Sequence, residues 1–171
     1  MADGGFAVTW WGNNDIFVQK FDSNGNRDGS EIQLDGQGGG DWDHQITALT
    51  DGGFVVTWQG YNGNNYDIFV QKFDSNGNTA GSEVQFDGQG YDDYSPQIIA
   101  LTDGGFVVTW QGYDSSHESD IFVQKFNSEG TLVSAQSSEV GTGYLVDSTI
   151  SVDDVLDITS SADSLWNSVD I

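Results

Sequence analysis

The sequence contains no cysteine, and it sets only four Lys and Arg residues against 27 Asp and Glu. The first absence removes disulfides, thiolate nucleophiles and Cys-based zinc sites, while leaving the compartment open. The second gives a formal charge of −23, a surface that repels nucleic acid and anionic membranes. No apolar run approaches the length of a membrane span. Nucleic acid and membrane insertion are therefore not expected. Histidine is scarce as well: His44 and His117 fall at non-equivalent positions and read as loop residues. No Gly-x-Ser-x-Gly, phosphate-cradling loop or histidine metal motif accompanies them. An enzyme needs one asymmetric constellation, and the sequence offers none, so it reads as non-enzymatic. Composition alone leaves a paired-carboxylate glycosidase open, because carboxylates are everywhere.

What the chain does have is aromatic residues, at 13%, including 6 Trp and 10 Phe. They sit in regular strand-like runs, which excludes disorder for most of the 171 residues despite the charge. The runs recur. "DGGF" begins at Asp3, Asp51 and Asp103, "DIFVQKF" at Asp15, Asp67 and Asp120, and "DGQG" at Asp35 and Asp87. The repeat is about 52 residues long, with the first copy shortened between its Trp and its "DIF".

Each repeat reads as four strands. "QITAL" or "PQIIAL" comes first, then a "TDGG" turn in which Gly supplies positive φ. "FVVTW" is the second strand, rich in β-branched and aromatic residues. A variable loop of Gly, Asn, Tyr, Ser and Asp leads to "DIFVQKF". A turn "DSNGN" with a strong Asn-Gly hairpin signal then leads to "SEIQLD" or "SEVQFD". Short connections imply antiparallel meanders. Alternation puts Phe54, Val56 and Trp58 on one face and Val55 and Thr57 on the other. Both faces of each strand carry apolar residues, as in sheets packed between neighbours.

The expected fold is all-β: about three four-stranded antiparallel meanders, β-propeller-like, with a three-sheet prism or open stack as alternatives. The repeat domain spans residues 1–140, with repeats near 3–44, 45–95 and 96–140. The first unit lacks its "ITAL" strand and must leave an edge or borrow a strand. Residues 141–171 differ in composition and read as a partly helical capping or docking tail, with Ala162, Leu165, Trp166 and Val169 on one helical face. Met1 is followed at once by the repeat, so the sequence reads as a piece of a longer chain.

Two kinds of site suggest themselves. The acidity attracts cations, and Ca²⁺ prefers carboxylate and carbonyl oxygens. The candidate ligands are Asp35, Asp41 and Asp43 in one inter-repeat loop, Asp87, Asp92 and Asp93 in the next, and Asp22, Asn24, Asp74 and Asn76 in the "DSNGN" turns. The alternative for the turns is that Asp and Asn satisfy backbone groups. Aromatic residues supply the other candidate. Trp11, Tyr61 and Tyr113 stand at the mouths of the variable loops, where they could stack on sugar faces while Asp, Asn and Gln take hydroxyls. Trp58 and Trp110 read as core.

The stretch "ALTDGGFVVTWQG…DIFVQKFDSNGN…GSEVQFDGQG" resembles a tandem repeat of very large secreted bacterial proteins, RTX-type calcium-binding proteins and surface adhesins. The resemblance covers about residues 3 to 126. It implies secretion or the bacterial cell surface, a calcium-rich exterior, propeller-like β units and an adhesive or scaffolding role. The chain lacks the glycine- and aspartate-rich nonapeptide of calcium rolls. The expected function is thus a structural or adhesive β-repeat module. Its alternatives are a lectin-like glycan binder and a unit that completes its sheets by strand exchange between chains, a homo-oligomer.

Overall fold

In the computed structural model, residues 1, 3–34, 39–86, 90–113, 119–133 and 138–139 are described. They form three antiparallel sheets and, among them, no helix. The helical reading of the tail lies outside the described residues. Sheet 1 holds β1 (Phe6–Gly12), β2 (Asp15–Phe21) and β3 (Ile32–Leu34). Sheet 2 holds β4 (Asp41–Ala48), β5 (Phe54–Tyr61), β6 (Tyr66–Phe73) and β7 (Val84–Phe86). Sheet 3 holds β8 (Asp93–Ala100), β9 (Phe106–Tyr113), β10 (Ser119–Phe126) and β11 (Ser138–Glu139). Each is a meander in chain order, and among the described residues sheet 1 has three strands where sheets 2 and 3 have four.

The structure corrects one boundary. The first strand of each full unit begins at Asp41 or Asp93, several residues before the sequence suggests. The residues "DWDH" and "DYSP" are therefore strand, broken by a bulge between Trp42 and Gln45 and between Tyr94 and Gln97. Asp43 and Ser95 carry positive φ, 49° and 53°, at these equivalent bulges, which absorb one extra residue. Pro96 is tolerated there because β8 lies at the edge of its sheet. His44 lies in β4 rather than in a loop.

Two apolar cores join the sheets. In one, Ile16, Val18 and Leu34 of sheet 1 meet Phe54, Val56, Trp58, Phe69 and Phe73 of sheet 2. In the other, Val55, Ile68 and Val70 of sheet 2 meet Phe106, Val108, Trp110, Phe122 and Phe126 of sheet 3. At both interfaces the aliphatic face of one sheet thus meets the aromatic face of the next. Register pairs the aromatics directly across strands, so Phe54 stacks on Phe73 and Trp58 on Phe69. The same pairs recur as Phe106 on Phe126 and Trp110 on Phe122.

The "DGG" turn has a distinct reason for each residue. Asp51 Oδ1 accepts from the Gly53 N–H at 2.8 Å, and its other oxygen takes the Lys72 ammonium at 2.7 Å. Asp3 does the same with Gly5 and Lys20, and Asp103 with Gly105 and Lys125. Gly52 has φ 87°, where side chains are strained. At Gly53 a Cβ would strike the backbone carbonyl of Phe73. Replacing Gly53 by Ala should therefore cost about 2 kcal/mol or more through backbone displacement. Gly25→Ala, at φ 82° with open space around it, should cost about 1 kcal/mol from conformation alone. Urea denaturation of both variants checks this order.

The clasp also titrates. Burial works to raise the Asp51 carboxyl, but the hydrogen bonds from Lys72 and Gly53 outweigh it, and the group sits below its ordinary value. At Asp3 and Asp103 the backbone N–H of Gly5 and Gly105 leads the same lowering. A carboxyl lowered by folding stabilises the protein above its unfolded value and loses that contribution as pH falls through its folded value. The destabilisation caused by Asp51→Asn should be full at neutral pH and shrink once pH drops below the ordinary carboxylate range. Urea midpoints of the two proteins that stay equally far apart in acid would contradict this.

Candidate functional site

The two ends of the sheets differ. At one end lie the "DGG" and "DSNGN" turns, where acidic side chains are already engaged. Asp22 Oδ1 accepts from the N–H groups of Asn24 and Asn26 at 2.9 and 2.8 Å, and its Oδ2 from the Asn26 amide at 2.9 Å. Asp74 repeats this with Asn76 and Asn78. The Asn26 side-chain amide leads in lowering the Asp22 carboxyl, and the Asn78 N–H in lowering Asp74. These oxygens hold the turn closed, while Asn24 and Asn76 contribute their backbone N–H to it.

The other acidic candidates are spread out. Asp35 and Asp87 lie outside the described residues. Asp41 and Asp93 are fully buried, packed against Gly60 and Gly112, where a Cβ would collide with the carboxylate. Asp43 is exposed at its bulge. Asp92 accepts from the Tyr66 N–H at 2.9 Å and from the Tyr94 hydroxyl at 2.7 Å. Among the described residues, no three His, Asp or Glu side chains gather as a metal would require.

Aromatic residues do gather, at the end where the β5–β6 and β9–β10 hairpins turn. Tyr61 and Tyr66 face each other in register, with ring centroids 5.3 Å apart. Tyr66 contacts Trp42 at 5.4 Å and Tyr94 at 6.1 Å, and Tyr94 contacts Tyr113 at 6.2 Å. Five rings from two sheets thus form one row, with Trp42 the most exposed and the tyrosines partly so. Two of the three aromatic candidates, Tyr61 and Tyr113, are its members. The third, Trp11, is half exposed at the same end of sheet 1, and no ring contact joins it to the row among the described residues. Trp58 and Trp110 are buried core.

An amide network holds the loop beneath the row. Asn62 Oδ1 accepts from the N–H groups of Asn64 and Asn65 at 2.8 and 3.0 Å. Buried Asp67 accepts from the side chains of Asn62, Asn65 and Gln85. Asn65 also donates to the Tyr91 carbonyl at 2.8 Å, tying the loop of sheet 2 to the entry of sheet 3. Trp42, Tyr66 and Tyr94 were not singled out by sequence pattern. Trp42 and Tyr94 occupy equivalent repeat positions inside the acidic run, which is the signal that points to them.

No known family model matches the chain, and no curated protein is similar to it. Among solved structures, an endo-arabinase from Bacteroides thetaiotaomicron is similar in fold, with 13% identity and a TM-score of 0.44. The match covers 80% of this chain and 61% of that one.

Burial and the Asp92 carboxylate together push the Tyr94 hydroxyl up to about 12. In Asp92→Asn the acceptor charge is lost while burial stays. Tyr94 should then ionise earlier, part of the way back to its ordinary value, in a spectrophotometric titration. An unchanged titration curve would show that the Asp92 contact is not made.

Proposed function

We propose that the chain is a non-enzymatic β-repeat module of a secreted or cell-surface protein, and that the loop end of its sheets binds carbohydrate. The observation that carries this reading is the row Trp42–Tyr66–Tyr94–Tyr113, with Tyr61 beside it, at one end of two adjacent sheets. Sugar rings have apolar faces that stack on such platforms, and hydroxyls that need nearby amides and carboxylates. Asn64 and Asp92 supply those groups at the margin of the row, on a loop that Asn62 holds in place. The acidic surface disfavours anionic ligands, so neutral glycans fit best. On this reading, recognition falls where the copies differ, as at "YNGNNY".

The binding residues are held rather than free. Tyr94 is fixed by Asp92, and the loop that carries Asn64 is locked by Asn62 and Asn65, so little ordering cost remains on binding. A glycan array run with this chain should give neutral-glycan hits. Tyr61→Ala and Tyr113→Ala should weaken binding roughly ten-fold each, the worth of about 1.4 kcal/mol. Leu132→Ala, at the opposite end, should leave binding unchanged. An array without hits, or hits equally strong in both Tyr variants, would overturn the reading.

A further inference from the structure

The two end sheets each present half of a contact that the interior makes twice. In sheets 2 and 3 the aromatic face is buried: Phe54 is 1% exposed and Phe106 1%. The same face of sheet 1 is open, with Phe6 47% and Val8 40% exposed and Trp10 and Phe17 partly so. Conversely, Ile16 and Ile68, on the aliphatic faces of sheets 1 and 2, are each 0% exposed, whereas their counterpart Ile121 in sheet 3 is 44% exposed. Ile99, on that same face, is also open.

A second feature follows the same rule. Where sheets 1 and 2 meet, the Gly77 turn rests on the stem of Lys20, the Cβ built at Gly77 lying 3.3 Å from Lys20 Cβ. Where sheets 2 and 3 meet, the Gly130 turn rests on Lys72, at 3.7 Å. The corresponding turn of sheet 1, at Gly25, has nothing within 4 Å. The corresponding lysine of sheet 3, Lys125, is the most exposed of the three.

We infer that this chain associates head to tail with a second copy of itself, the aromatic face of sheet 1 seating on the aliphatic face of sheet 3. The Gly25 turn of one copy then covers Lys125 of the next. The occupant is specified by the interior, where these surfaces already meet in this register. The contact is heterologous, so it leaves one open face at each end and repeats until a ring closes or a filament grows. It uses sheet faces, not exchanged strands, and it is independent of carbohydrate binding. Because the faces are apolar and the chains strongly acidic, association tightens with added salt, which screens the repulsion.

The absence of native cysteine allows a direct test. Gly25→Cys and Lys125→Cys are made in separate chains. The interior Cβ separations at the equivalent positions lie close to the disulfide range, about 3.5–4.5 Å. Mixed under oxidising conditions, the two variants should give a disulfide heterodimer, while neither alone crosslinks appreciably. Light scattering of the unmodified chain across the micromolar range should give a mass above one chain, rising with salt. Ile121→Glu, at an already exposed position, should weaken association at least ten-fold. A single-chain mass at every concentration and salt would overturn the inference. So would crosslinking of the Gly25→Cys chain with itself as readily as with its partner.

Discussion

Everything in this fold depends on the packing of an aromatic sheet face against an aliphatic one. A single meander buries too little to stand alone, because both of its faces are apolar and one would always meet water. Stacking solves the problem only if neighbouring faces differ in shape. Flat stacked rings such as Phe54–Phe73 and Trp58–Phe69 receive the branched side chains of Ile16 and Val18. The next interface repeats this with Phe106–Phe126 and Trp110–Phe122 against Ile68 and Val70. Directionality follows, since each sheet has a front and a back.

The near-identity of "DGGFVVTWQG" among repeats has a physical cause at almost every letter. Asp holds the turn and the lysine of "QKF", the two glycines serve a positive φ and a close carbonyl, and Phe and Trp provide the rings. The final Gly makes room for a buried carboxylate, Asp41 or Asp93. Three of the four basic residues of the chain, Lys20, Lys72 and Lys125, are spent on this clasp. The recurring segment is scaffold, and the aromatic row gathers at its Trp-Gln-Gly end from residues on both sides of it.

Much of the scaffold was legible in the sequence. Period-two alternation gave the faces of "FVVTW" and "DIFVQKF", and the glycine and asparagine turns gave the meander. The start of β4 and β8 was hidden because Asp and Gly suppress strand propensity and the bulges at Asp43 and Ser95 break the alternation. Asp41 therefore looked like a loop ligand, although it is buried in a strand. Tyr61 and Tyr113 were visible as loop-mouth aromatics, but Tyr66 and Tyr94 were not. Their meeting depends on one sheet packing on the next, and no local pattern encodes that distance.

If alternate faces hold the sheets, sheet 2 is the keystone, since among the described residues it alone has both faces covered. Native-state hydrogen exchange in dilute solution measures this directly. The slowest amides should lie in β5 and β6, with β9 next and β1 exchanging fastest among the long strands. Equal protection in β1 and β5, or the slowest exchange in sheet 1, would contradict the account.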